Sequence, residues 1–234
     1  ALRLAGVPFT AARHEGGAAT MADAYARMSG RVGVVSTHQG CGLSNAVTGI
    51  GEAAKSRTPL IVLTADTQAS AVRSNFKIDQ DALARSVGAV SERIHSPATA
   101  VADTLRAFRT ARNERRTVVL NLPLDVQSAP APATAAAATH PAGLADAQLV
   151  RPAAPSVRRL AHLINAAERP VFVAGRGARN AREQLLSLAA HAGALVATSA
   201  VANGLFHDED FNLGISGGFS SPLTAGLIQG ADLI

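Results

Sequence analysis

Several things are scarce in this sequence, and each scarcity closes off a class of function. One cysteine, Cys41, in 234 residues rules out an intrachain disulfide and fits a cytoplasmic enzyme. Aromatic residues make up 3% of the chain, too few for the stacking platforms of a nucleic-acid binder. The net charge of +5 comes from arginines scattered along the chain, which read as solvated surface and not as a basic stripe. No apolar run approaches the roughly 18 residues that cross a bilayer, and no secretory signal pattern is visible. No glycine loop is followed by a Walker lysine, which speaks against a phosphate-transferring ATPase. Neither nucleic acid nor membrane is therefore expected as a partner. Hydrophobic residues, at 47%, suffice for a core in one large domain or two ordinary ones.

What is present is concentrated between Arg13 and Asp66. Gly16–Ser29 places Ala18, Met21, Ala22, Tyr25 and Met28 at helical spacings, with Gly30 as the cap that stops the helix. Val32–Ser36 reads as a strand buried on both faces of a parallel sheet. His38–Gly42 reads as a turn, Leu43–Ser56 as a helix, and Leu60–Thr64, introduced by Pro59, as a second buried strand. Strand, helix and strand make a βαβ unit, which places function at the strand ends. A polar loop from Asp66 to Gln80 then leads to a short helix, Asp81–Val87, and a longer one from Pro97 to about Arg112. The strand Thr117–Leu122 follows.

From Asp125 to Pro155 the composition shifts to alanine and proline without apolar periodicity, the mark of a semi-rigid linker. Beyond it Ser156 is expected to cap a helix to Ala167, before the strand Val171–Ala174, the helix Ala181–Ala192 and the strand Leu195–Thr198. The fold class is thus α/β, with two open parallel-sheet domains of flavodoxin or Rossmann type. Domains are expected over 1–125 and 156–234, with 126–155 between them. At the chain ends, Ala1–Phe9 reads as the tail of a helix followed by a strand, and Asp232–Ile234 as the opening of another strand.

The candidate chemistry is sparse. Glu15 stands in the first helical turn, where a carboxylate could serve a ligand or only favour the helix dipole. His38 and Gln39 lie at a strand's carboxyl end, placed either to donate to a bound intermediate or to satisfy backbone groups. Cys41 and His38, three apart in a tight turn, make a poor nucleophilic pair. Gly175–Asn180 follows a strand with two glycines, but Asn180 occupies the sixth position and no acidic residue follows at the ribose distance, so a structural turn is favoured over a dinucleotide site. His207, Asp208, Glu209 and Asp210 are contiguous and read as a solvated loop, not a metal cluster.

His14-Glu15, Ala24-Tyr25-Ala26-Arg27, the run Gly40-Cys41-Gly42-Leu43-Ser44-Asn45-Ala46-Val47-Thr48-Gly49 and Arg57-Thr58-Pro59, in that order and spacing, resemble the pyrimidine-binding domain of thiamine diphosphate enzymes. The similarity is to the acetolactate synthase-like group, and it continues more diffusely to the chain's end. The resemblance implies that Glu15 hydrogen-bonds N1′ of the cofactor's aminopyrimidine and so helps the thiazolium C2 lose its proton. A carboxyl in that role would profit from burial and a raised pKa. Gly40, Gly42 and Asn45 would line the cofactor, while His38, Gln39, Phe76 and Lys77 would face the substrate. Where the family has Ser-Gly and proline, this chain has His38-Gln39 and Cys41, and Phe76 is followed by Lys77 in place of glutamine, so a cation there could pair with a substrate carboxylate.

The resemblance further implies a fragment of a three-domain enzyme acting on 2-oxo acids or ketones, assembled as a homodimer or homotetramer in the cytoplasm. Relative to the family, the first strand and helix and everything beyond the middle domain are missing. The missing part would carry the Mg²⁺ ligands, so no metal is held here and the polypeptide alone is expected to be inactive. FAD in the middle domain is left open by the family, some of whose members bind it. Rival readings are a flavin- or nicotinamide-dependent oxidoreductase using the Gly175 turn, and a non-catalytic assembly subunit.

Overall fold

The computed structural model describes residue 4 and residues 6–130 and 150–234. They divide into two compact units, Ala1–Gln148 and Leu149–Ile234.

In the first unit, strands β1 (Gly33–Thr37), β2 (Leu60–Asp66), β3 (Val90–Arg93) and β4 (Thr117–Pro123) form an all-parallel sheet in the order β1-β2-β4-β3. Val35 pairs with Val62 and Val62 with Val119. Because side chains alternate along each strand, these valines and Leu60 pack to one side. There they meet residues of α1 (Glu15–Ser29), α2 (Cys41–Asn45), α3 (Val47–Lys55) and α4 (Gln80–Ser86). Ile61, Val118 and Leu120 pack to the other side, against α5 (Ala100–Asn113).

The central strands are as apolar as the sequence predicts, but β1 is not buried on both faces. It lies at the end of the sheet, burial alternates along it, and Val34 is 57% exposed. The covering helix α5 packs on β2, β3 and β4.

Helix α1 starts and stops where the residues require. His14 caps its amino end, with Nδ1 accepting from Gly16 N at 3.0 Å, and Gly30 ends it at φ 71°. Its buried face differs from the predicted one. Ala19, Asp23 and Ala26 face inward, whereas Met21, Tyr25 and Met28 are exposed. The reason is close approach. A Cβ on Gly33 would lie 2.5 Å from the Ala22 carbonyl oxygen, and one on Gly49 would lie 2.6 Å from Ala19 Cβ. Only the small-residue side of α1 fits against β1 and α3. Asp23 is compensated there by Arg27, which also reaches Glu52 of α3, at 2.7 and 2.9 Å.

The helix predicted over 43–56 is two, interrupted at Ala46, whose N–H bonds to Leu43 O. Residues 7–9, where the stretch Ala1–Phe9 was expected to end in a strand, carry no regular element, and β3 was not foreseen. A short helix α6 (Leu124–Ser128) follows β4. It occupies the start of the predicted linker, of which residues 131–149 lie outside the described residues.

The second unit holds strands β5 (Val171–Ala174), β6 (Leu195–Thr198) and β7 (Asn212–Ile215), parallel and in that order. Its helices are α7 (Ala154–Ala166), α8 (Arg182–Ala192) and α9 (Pro222–Gln229). Fully buried Phe206 packs with Ala174, Ala189, Ala194 and Val196. Ser156 does not cap α7: Ala153 is the N-cap and Pro155 enters the first turn, a position that suits proline's missing N–H. The expected third strand near Asp232 is a single parallel bridge of Leu233 to Pro170.

Candidate functional site

Parallel α/β sheets offer their ligand crevices at the carboxyl ends of the strands, and the predicted site residues gather there at the end of β1. After Thr37 the chain turns through His38, Gln39 and Gly40 into α2. Gly40 adopts φ 62° and ψ −107°, and a Cβ on it would lie 2.5 Å from the Phe76 carbonyl oxygen, so both conformation and space demand glycine. At Gly42 a Cβ would lie 2.8 Å from His38 Cβ and 3.4 Å from Glu15 Oε1. The missing side chain leaves Oε1 of Glu15 facing bare backbone. The other carboxylate oxygen, Oε2, accepts from Asn45 Nδ2 at 3.2 Å. Five predicted residues, Glu15, His38, Gly40, Gly42 and Asn45, are thus brought into one cluster by α1, the turn and α2.

The environment of Glu15 corrects one expectation. Glu15 is half-buried as a residue but its carboxyl is open to solvent, and its pKa is lowered, not raised. A hydrogen bond from the backbone and then the Asn45 amide favour the ionised form, outweighing desolvation, with His14 and His38 adding to the effect.

His38 is exposed, and its ring meets Phe76 edge-on at 5.0 Å. Its Nδ1 lies 2.9 Å from Gln39 O. A carbonyl only accepts, so Nδ1 carries the proton and neutral His38 keeps a lone pair on Nε2. Gln39 is buried, and among the described residues its Oε1 has no hydrogen-bond partner. The loop brings Phe76 to the turn, while Lys77 beside it is exposed.

Beneath the turn lies a polar layer that sequence reasoning missed. Gly40 N donates to Gln80 Oε1 at 2.8 Å, and Gln80 Nε2 donates to Asn121 Oδ1 at 2.7 Å and to Ala65 O at 3.1 Å. Asn121 Nδ2 in turn faces Asp81 Oδ1, Ser91 Oγ and Glu92 O. Thr64 Oγ1 donates to His38 O at 3.3 Å. Arg93 Nη2 pairs with Asp66 at 2.6 Å and with Asp81 at 3.4 Å. Asn121, a fully buried amide in the strand Thr117–Pro123, was the visible signal, since a buried polar residue among valines and leucines demands partners.

The remaining candidates do not join this cluster. Cys41 is exposed as the first residue of α2. After β5 the chain makes a 3₁₀ turn, Arg176–Ala178, and α8 starts only at Arg182. The Gly175 loop therefore does not run straight into a helix amino end, as a pyrophosphate cradle does. Glu209 pairs with Arg182, which also donates to Leu205 O and His207 O. Among the described residues, no three His, Cys, Asp or Glu side chains are grouped to hold a metal, and no helix is long and apolar enough to cross a membrane.

A parallel α/β unit with a carboxylate facing a glycine turn, followed by a second parallel α/β unit, defines the class of protein. Comparison with known proteins agrees. The family model described as "Thiamine pyrophosphate enzyme, N-terminal TPP binding domain" matches residues 1–86, and "Thiamine pyrophosphate enzyme, central domain" matches residues 157–234. A probable 2-ketoarginine decarboxylase of Pseudomonas aeruginosa is 34% identical over 221 residues, covering 90% of this chain and 38% of the relative. The large subunit of acetolactate synthase isozyme 1 of Escherichia coli is 31% identical over 235 residues, covering 95% and 40%. A sulfoacetaldehyde acetyltransferase of Castellaniella defragrans is 36% identical over 123 residues, covering 52% and 21%. The chain belongs to the thiamine pyrophosphate-dependent, acetolactate synthase-like enzyme family. It spans 40% or less of the length of these relatives.

Proposed function

We propose that this chain supplies the pyrimidine-binding and middle domains, over 1–125 and 156–234, of a thiamine diphosphate-dependent lyase or transferase. Its substrates would be 2-oxo acids or related ketones, and its reaction decarboxylation or C–C cleavage, with ligation of the product to an acceptor. The observation that carries this reading is Glu15, whose Oε1 faces the side-chain-free Gly42 while Asn45 occupies Oε2. A flat ring would find there a carboxylate oxygen beside a stretch of bare backbone.

Thiamine diphosphate, when bound, supplies an acidic carbon and an electron sink for the cleaved substrate. Glu15 would hold a proton at the ring nitrogen N1′ through Oε1. Asn45, donating to Oε2, keeps the carboxylate oriented and ionised in the free protein. His38, with its Nε2 lone pair, would exchange a proton with the substrate. Phe76 would wall the pocket beside it, Gln39 would donate a hydrogen bond to the bound intermediate, and exposed Lys77 would meet a substrate carboxylate. Mg²⁺ would be held by residues other than those described. A second subunit would close the half-exposed Glu15 cluster, which supports a homodimer or homotetramer. The lone cysteine supports a cytoplasmic setting.

The test is NMR exchange of the cofactor's C2 proton in the holoenzyme at saturating thiamine diphosphate and Mg²⁺. Glu15→Gln is expected to slow exchange by about 10²–10⁴-fold, the range of positioned acid–base groups. Unchanged exchange would remove Glu15 from the mechanism.

A further inference from the structure

The glycine turn is held from below by a hydrogen-bond chain whose direction is fixed at its far end. Asp81 Oδ1 and Glu92 O can only accept, so the Asn121 amide must present Nδ2 to them. Its Oδ1 is thereby aimed at Gln80 and takes Nε2 at 2.7 Å. That leaves Gln80 Oε1 directed at Gly40 N, 2.8 Å away. Gln80 is itself anchored as the first residue of α4, whose N-cap Asp79 accepts from Ala82 N at 2.8 Å. It is 2% exposed and Asn121 is 0% exposed, so water offers these groups no substitute. An amide is required at position 80, because one side chain accepts from Gly40 and donates to both Asn121 and Ala65. Glutamate or leucine could not do both.

Gly40 is two residues before Gly42, the residue whose bare backbone faces Glu15 Oε1. We propose that Gln80, polarised by Asn121, is a positioning residue that fixes the height of the Gly40–Gly42 turn against Glu15 and so sets the cofactor pocket. This inference rests on the cofactor reading of Glu15. Gln80 touches neither the carboxylate nor the site's open face, and acts only through the turn.

The experiment is a double-mutant cycle in the holoenzyme, with C2 proton exchange at saturating cofactor as readout. The variants are Gln80→Met, which keeps volume and removes the hydrogen bonds, Glu15→Gln, and the pair. Gln80→Met is expected to slow exchange by about tenfold or more, since sub-ångström misplacement carries costs of that order. In the Glu15→Gln background the same change is expected to have no further effect, because the turn then has no acid–base partner to align. Equal slowing in both backgrounds would mean general loosening and would overturn the inference. So would normal dependence on Glu15 with no response to Gln80→Met. Exchange indifferent to Glu15→Gln would overturn the cofactor reading and this inference with it. Should Gln80→Met fail to fold, hydrogen exchange of the wild-type Gly40 amide decides: protection supports the bond to Gln80, and exchange at the open-chain rate overturns it.

Discussion

Asn45 Nδ2 lies 3.2 Å from Glu15 Oε2, joining the last residue of α2 to the first residue of α1. The amide stabilises the charged carboxylate, so its removal must favour the neutral form. Asn45→Leu is expected to raise the pKa of Glu15 toward the ordinary carboxyl value, read by carbon-13 NMR titration of the Glu15 carboxyl. A titration midpoint identical to wild type would show that the backbone hydrogen bond alone sets the ionisation.

Asp103 offers a test of acid sensitivity. It is buried and accepts from His95 N, Thr99 Oγ1 and Arg106 Nη1 at 2.8–2.9 Å. These bonds outweigh burial, the largest single influence, and hold its carboxyl well below the usual range. A depressed folded-state pKa gives stability that is present above the unfolded value of about 3.9 and is lost as pH falls toward the folded one. Asp103→Asn is expected to destabilise the first unit by about 2 kcal/mol at neutral pH, the scale of hydrogen bonds to a charged group. That deficit should shrink below about pH 4, as measured by urea unfolding across the acid range. A deficit independent of pH would sever the link between this carboxyl and acid stability.

Gly49 sets a helix-propensity gain against a steric cost. Alanine would gain about 1 kcal/mol in a helix interior. Its Cβ, however, would stand 2.6 Å from Ala19 Cβ and 3.1 Å from Thr20 N, neither of which is the end of a flexible chain. Overpacking of this kind costs about 1–3 kcal/mol, so Gly49→Ala is expected to lower the unfolding midpoint of the first unit. A raised midpoint would show that α1 and α3 can separate cheaply.

Phe206 is fully buried in the second unit. Phe206→Ala is expected to destabilise that unit by about 3–5 kcal/mol while leaving cofactor proton exchange in the holoenzyme within twofold of wild type. Scanning calorimetry and the exchange measurement read the two effects separately.

Much of this was legible in the sequence, for reasons that particular residues show. The strands Val171–Ala174 and Leu195–Thr198 fall where predicted, because short β-branched runs flanked by breakers have few alternatives. The cluster of Glu15, His38, Gly42 and Asn45 was legible through the family resemblance, whose motif pieces lie within 31 residues of one another. Strand β3, Val-Ser-Glu-Arg, was not, since its residues are only half-buried and carry no apolar pattern. Helices α2 and α3 read as one, because nothing in Leu43–Ser56 signals the break at Ala46. The inward face of α1 was misjudged, because Met21 and Tyr25 outweigh alanines on any hydrophobicity scale. Which side faces in was decided by glycines on neighbouring elements. Gln80 was invisible as a hub because its partners Gly40 and Asn121 lie 40 and 41 residues away in sequence.

At Gly33 and Gly49, α1 meets its neighbours with no side chain of theirs in between. Most contacts in a protein interior are made by side chains that can hop between rotamers or be repacked when a neighbour changes. These contacts have no such adjustable layer, so the stand-off of α1 is measured in peptide dimensions. The backbone at its first residue, Glu15, thus inherits its position from peptide contacts, and should keep it as temperature rises and the rotamers around it begin to exchange.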